Sequence, residues 1–122
     1  MAELTHSETF TTPLTPQEAR DRVVAHFQSL RAKVTVREEG GGPQIEAKTG
    51  SQAKMRILGG AFIANTSLPA RTNVSLQAGA GGTEVTAVAA DAVGFGAKVG
   101  MKGKYEALLP ELVAGVRAAL MS

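Results

Sequence analysis

A long amphipathic pattern at the C-terminal end constrains this chain more than any other feature. Apolar residues recur there at steps of three and four, which places them on one face of an α-helix. They are Tyr105, Leu108, Leu109, Leu112, Val113, Val116 and Leu120. A helix with such a stripe must bury it against another element, so the rest of the chain has to supply a matching apolar surface.

The segment before this helix predicts a strand and then a glycine-rich connection. Val85, Ala87 and Ala89 alternate with other residues at the period of a strand that is buried on one face. Asp91 ends the strand. Glycines and lysines then dominate residues 94–104, which we call the glycine–lysine segment.

The N-terminal part predicts one strand and one helix. Leu4 to Thr12 alternates between threonine or serine and other residues, and Pro13 ends this pattern. Thr15 to Glu18 reads as a capping box with proline at the first helical position. We therefore expect a helix from Pro16 to Leu30, and its predicted buried residues are Ala19, Val23, Phe27 and Leu30.

Four further strands are predicted between the two helices, in addition to the strand that ends at Asp91. Turns are expected at Glu38 to Pro43, at residues 49–51, at Gly59 and Gly60, and at Gly79 to Gly82. The inward-facing residues are predicted to be Ala32, Val34, Val36, Ile45, Ala47, Ala53, Met55, Ile57, Thr72, Val74, Leu76 and Ala78.

These elements predict a two-layer α+β fold. Short turns between consecutive strands favour antiparallel pairing, and a sheet with one apolar face needs a helical cover. We expect about six strands in the order β-α-β-β-β-β-β-α, with both helices on one face. In layout this resembles a reduced helix-grip domain, in which a curved antiparallel sheet wraps a long C-terminal helix, as in START and polyketide-cyclase-like proteins.

Composition limits the classes of function. The chain has 122 residues, 43% of them hydrophobic and 20% charged, so we expect one globular domain over residues 1–122. It has no cysteine, which excludes disulfides and thiolate metal sites. The N-terminal residues lack a signal-peptide pattern, and a cytoplasmic protein without a cofactor is expected.

The glycine–lysine segment is the first candidate site. Its spacing matches neither common nucleotide-binding motif. However, backbone amides and lysines at a helix start attract phosphate or carboxylate groups. The predicted anion site comprises Gly96, Lys98, Gly100, Lys102, Gly103 and Lys104. In the alternative interpretation the glycines only form a turn, the lysines are solvated, and the helix begins at Pro110.

An apolar stretch within residues 59–70 is the second candidate. Phe62, Ile63 and Leu68, together with Phe95, would line the mouth of a ligand cavity or contact a partner. Alternatively, a strand continues through the glycines and buries these side chains.

The outer face of the predicted sheet is basic, with Lys33, Arg37, Lys48, Lys54 and Arg56 on outward positions. It carries no aromatic residue on which bases could stack, so nucleic-acid binding is not expected.

Candidates for catalysis are few, and we predict that the chain is not an enzyme. His6 and His26 have no second metal ligand at a suitable spacing, and Asp91 is the one acidic residue beside a candidate site. No metal site is expected. The sequence therefore favours a module that binds a small anionic or amphipathic ligand between the sheet and the C-terminal helix. The competing hypothesis is an interaction domain, for example a homodimer, that uses its apolar loop or a sheet edge.

Overall fold

The computed structural model describes residues 5–39, 42–50, 70–91 and 102–121. In chain order the elements are β1 (Thr5–Thr12), α1 (Pro16–Ser29), β2 (Lys33–Glu39), β3 (Gly42–Thr49), β4 (Ala70–Gly79), β5 (Gly82–Asp91) and α2 (Lys102–Met121). The five strands form one antiparallel sheet in the order β1-β5-β4-β3-β2. The predicted α+β class is confirmed, whereas the predicted strand around residues 53–57 lies outside the described residues.

Both helices pack on the same face of the sheet and share one core with it. α2 contacts mainly β5 and β1, and α1 contacts mainly β3, β2 and β4. All seven residues of the predicted α2 stripe are buried, and so are the alternating residues of β5 at Val85, Ala87 and Ala89. The long helix lying across an antiparallel sheet agrees with the helix-grip layout. Neither described helix is both long and apolar enough to cross a bilayer.

The ends of α1 follow from local chemistry at its start and from the chain turn at its end. Thr15 Oγ1 accepts a hydrogen bond from the Glu18 amide at 3.1 Å, and the Glu18 carboxylate accepts one from the Thr15 amide at 3.4 Å. This is the predicted capping box. The helix ends at Ser29, because Arg31 adopts a left-handed conformation with φ of 59° and redirects the chain. Leu30 is therefore 49% exposed, and its prediction as a buried residue was wrong.

α2 begins at Lys102 and carries Pro110 in its interior. The alternative in which the helix starts at Pro110 is therefore wrong. A proline inside a helix removes one backbone hydrogen bond and costs about 3 kcal/mol. Each large apolar side chain that becomes fully buried contributes roughly 1.5–3 kcal/mol, so the buried stripe outweighs that cost.

The margins of the sheet differ from expectation in three places. Val36 faces the α1 side of the sheet, as predicted, but it is 41% exposed because β2 is an edge strand of the described sheet that α1 covers incompletely. Ala78 is exposed beside the turn between β4 and β5. Pro43 was placed in a turn, yet it pairs with Glu38 inside the ladder between β2 and β3. A proline is tolerated there because it lies near the start of its strand.

Two buried threonines connect elements at the end of the sheet where β1 stops. Thr12 Oγ1 donates a hydrogen bond to the Leu120 carbonyl at 2.9 Å, and Thr83 Oγ1 donates one to the Leu14 carbonyl at 2.7 Å. The first bond fastens the C-terminal end of α2 to β1. The start of α2 lies at the opposite end of the sheet, where Asp91 ends β5.

Candidate functional site

Three polar side chains are buried at the end of the sheet where α2 begins. Thr72 lies on β4, Asp91 on β5 and Tyr105 in the second turn of α2. Their exposed fractions are 0%, 3% and 0%. Buried polar groups are costly unless they are bonded, so a set of three at one end of a core requires an explanation. We refer to Thr72, Asp91 and Tyr105 as the polar cluster.

The strand register places two members of the polar cluster close together on the inner face. Thr72 pairs with Ala89, and Asp91 pairs with Ala70. Thr72 and Asp91 are therefore diagonal neighbours, with Cα atoms on the order of 7 Å apart.

The side chains that surround Thr72 and Asp91 on the inner face are small. Thr72 also pairs with Ala47 on its other side. Ala47, Ala70 and Ala89 are each 0% exposed, so alanines surround the two polar side chains on the inner face. This end of the sheet thus combines short apolar side chains with hydrogen-bonding groups.

Asp91 and Tyr105 interact electrostatically. Burial raises the pKa of the Tyr105 phenol above its ordinary value of 10, and the negative charge of Asp91 raises it further. Tyr105 therefore keeps its proton at neutral pH, and a neutral phenol can donate a hydrogen bond.

Thr72 differs from the other two residues. Its Oγ1 is fully buried and has no hydrogen-bond partner among the described residues. Leaving a buried hydroxyl unbonded costs about 1–3 kcal/mol. A hydrogen bond from Thr72 Oγ1 to a water or to a ligand atom would remove this cost.

Of the two described helices, only α2 covers this end of the core. Arg22 of α1 donates to the Ala119 carbonyl at 3.5 Å, and His26 of α1 lies against Gly115. These two contacts show that the helices run antiparallel. The first turns of α2 therefore lie beyond the C-terminal end of α1. Residues 51–69 and 92–101 are connected to the described part at the same end, through Gly50, Ala70, Asp91 and Lys102.

Only part of the predicted anion site can be located. Lys102, Gly103 and Lys104 are the first three residues of α2. The first turn contains no acidic residue. Gly96, Lys98 and Gly100 lie outside the described residues. So do the four residues that were predicted to line a cavity mouth or an interface, namely Phe62, Ile63, Leu68 and Phe95.

Of the polar cluster, only Asp91 stood out in the sequence as a residue beside a candidate site. Thr72 was placed correctly on the inner face, and Tyr105 on the buried stripe, yet both were treated as packing residues. A threonine at an inward position of a predicted strand was the available signal, because its hydroxyl needs a partner when it is buried.

The two histidines take part in local contacts. His6 Nε2 lies 3.2 Å from a carboxylate oxygen of Glu8, and Arg117 lies 3.5 Å from the other oxygen of that carboxylate. His6 also borders a depression of about 230 Å³ between β1 and α2, together with Thr5, Tyr105, Glu106, Leu109 and Pro110. Within the described ranges, no three potential metal ligands from histidine, aspartate and glutamate come together.

The outer face of the sheet is polar. A depression of about 110 Å³ lies over β2, β3 and β4 and is lined mainly by polar side chains, including Arg37, Gln44 and Asn73. Lys33, Arg37 and Lys48 are exposed there, while Lys54 and Arg56 lie outside the described residues. The expectation that this face does not bind nucleic acid stays a prediction.

Comparison with known proteins finds matches among solved structures only. No protein-family model matches the chain, and no curated protein matches it either. Among solved structures, the crystal structure of Ara h 8.0201 matches with a TM-score of 0.38 and 14% identity, over 96% of this chain and 99% of the other. A likeness at this level indicates neither a family nor a function for this chain.

Proposed function

We propose that this protein is a non-enzymatic binding module for a small amphipathic ligand that carries an anionic group. The ligand would lie between the inner face of the sheet and the first turns of α2. One observation carries the proposal: Thr72 Oγ1 is fully buried, faces an alanine-lined part of the core, and has no hydrogen-bond partner among the described residues. A preformed apolar site with a few convergent polar groups is the usual form of a small-molecule site.

The polar cluster suits an uncharged hydrogen-bonding group of the ligand. The Thr72 hydroxyl can donate a hydrogen bond to such a group or accept one from it. The Asp91 carboxylate accepts hydrogen bonds and repels a second negative charge in a buried setting. A ligand hydroxyl or amide would therefore meet the polar cluster, and the anionic group would stay away from Asp91.

The anionic group would bind at the start of α2. Backbone amides at a helix start attract negative charge, and Lys102 and Lys104 add positive charge in a first turn that contains no acidic residue. We extend this part of the site to Gly96, Lys98, Gly100 and Gly103. Phe62, Ile63, Leu68 and Phe95 are proposed to border the entrance with their apolar side chains.

A thermal-shift screen tests the anionic part of the proposal. Phosphorylated and carboxylated amphiphiles are added to the wild-type chain and to a variant in which Lys98, Lys102 and Lys104 are all replaced by glutamine. Because the variant loses three positive charges, we expect it to lose the rise in melting temperature that such ligands give the wild type.

The matched control replaces three exposed residues outside β2, namely Arg22, Lys48 and Arg117, by glutamine. It changes the net charge equally and should keep the rise. Equal protection of the Lys98, Lys102 and Lys104 variant and the wild type would discard the anion site.

A further inference from the structure

β2 forms an edge of the described sheet, and most of its side chains are exposed. Within the described ranges, it pairs with β3 only. Val36, at the middle of the strand, is 41% exposed. An open groove of about 390 Å³ runs beside it, between β2 and α1, lined by Arg20, Asp21, Val24, Ala25, Gln28 and Val36.

An edge strand with free backbone groups can pair with another strand, and its charges decide which one. β2 reads Lys33, Val34, Thr35, Val36, Arg37, Glu38, Glu39, with a positive residue at one end and negative residues at the other. An antiparallel partner of the same sequence therefore brings opposite charges together. The strand is complementary to itself.

Only one register of self-pairing keeps all like charges apart while using the whole strand. A two-fold axis at Val36 places Val36 opposite its own copy, Thr35 opposite Arg37, and Val34 opposite Glu38. An axis at Thr35 would put Lys33 opposite Arg37, and an axis at Arg37 would put two arginines together. Like charges directly opposite each other destabilise a strand pair.

The groove beside β2 is compatible with the same symmetry. A two-fold axis perpendicular to the sheet keeps the helices of both copies on one side. It turns the groove of one copy toward the groove of the other, with Val24 and Ala25 near the middle. Arg20 and Asp21 lie toward one end of α1, and uncharged Gln28 lies toward the other, so antiparallel copies of α1 bring no like charges together.

Glu38 would not be left with an uncompensated charge in this arrangement. Its carboxylate already accepts a hydrogen bond from Arg20 at 2.9 Å within the same chain. Val34 of the partner can therefore lie opposite Glu38 without removing that ion pair.

We propose that β2 is a homodimer interface: a second copy of this chain pairs antiparallel with β2 about an axis at Val36, and the two copies of α1 close the groove. This interface lies at the opposite edge of the sheet from β1 and is independent of the proposed ligand site.

The first test is the solution mass of the full chain, measured by sedimentation equilibrium over a range of concentrations. We expect the wild type to dimerise and Val36→Lys to weaken the dimer at least ~10-fold, because it places two positive charges opposite each other. Thr9→Lys, an exposed substitution on the other edge strand, is the control and should leave the dimer unchanged. A monomeric wild type, or a dimer that Val36→Lys leaves intact, overturns the proposal.

The second test uses the absence of cysteine from the sequence. Under mild oxidation, Val36→Cys should form a disulfide-linked dimer, because a symmetric antiparallel pair holds the two Cα atoms within the range a disulfide needs. Thr9→Cys should remain unlinked, and circular dichroism checks that both variants fold. Linking through position 9 but not through position 36 would assign the interface to β1 and refute the proposed one.

Discussion

At the scale of single residues, the contact between His26 and Gly115 determines how closely the helices approach. A Cβ atom added to Gly115 would lie 2.8 Å from His26 Nε2 and 3.1 Å from Cε1. The imidazole also makes an edge contact with the Phe27 ring, with centroids 5.1 Å apart. A glycine within a helix is otherwise unfavourable, so its presence here follows from the close approach of α1.

A double-mutant cycle tests this contact. Alanine in place of a helical glycine normally stabilises by about 1 kcal/mol. We expect Gly115→Ala to give less than this gain, or a loss, in the wild-type background, because the imidazole must move. In a His26→Ala background the full gain should appear in urea unfolding. Equal effects in the two backgrounds would contradict the packing described here.

The same histidine predicts a pH dependence of stability. Burial lowers the pKa of His26 below its ordinary value of 6.5, so the unfolded chain takes up a proton at a higher pH than the folded chain does. Stability contributed by the neutral imidazole is fully present above pH 6.5 and is lost as the pH falls through the folded pKa. His26→Gln should flatten the unfolding free energy in this range, and an unchanged slope would refute the assignment.

At the scale of elements, the periodic parts of the chain could be predicted from sequence because their burial follows a fixed period. The alternation in β5 and the stripe of α2 are the clearest cases. Leu30 and Val36 could not be predicted, since their exposure depends on where α1 ends and how far it covers β2. Thr72 was predicted to face inward, but its buried hydroxyl matters only once its neighbours are known to be alanines.

Thr12 provides a prediction at this scale, because it fastens the end of α2 to β1. Thr12→Val keeps the shape of the side chain but removes the donor to the buried Leu120 carbonyl. We expect a loss of about 1–3 kcal/mol in the free energy of unfolding, measured with urea. Thr11→Val alters the exposed neighbouring residue and should change stability little. Similar changes in the free energy of unfolding for the two substitutions would argue against a stabilising hydrogen bond from Thr12 to Leu120.

At the scale of the whole molecule, the sheet and α2 form a scaffold that has two different ends. One end is closed by the hydrogen bonds of Thr12 and Thr83, and the other carries the polar cluster and the start of α2. The sequence predicted the two layers, whereas the position of a binding site between the sheet and α2 stays a prediction. The sequence did not identify the polar cluster, because the strand register alone makes neighbours of Thr72 and Asp91, and the packing of α2 brings Tyr105 to the same end. The prediction of a single domain over residues 1–122 stays a prediction.

The central claim is that the buried hydroxyl of Thr72 bonds to a ligand between the sheet and α2. Native mass spectrometry of protein purified from its own host under non-denaturing conditions tests this most directly, with wild type and Thr72→Val compared. We predict that the wild type carries a non-covalent small-molecule adduct and that the variant, which keeps its fold, loses most of it. A wild type without an adduct, or equal adducts in both proteins, would contradict the account.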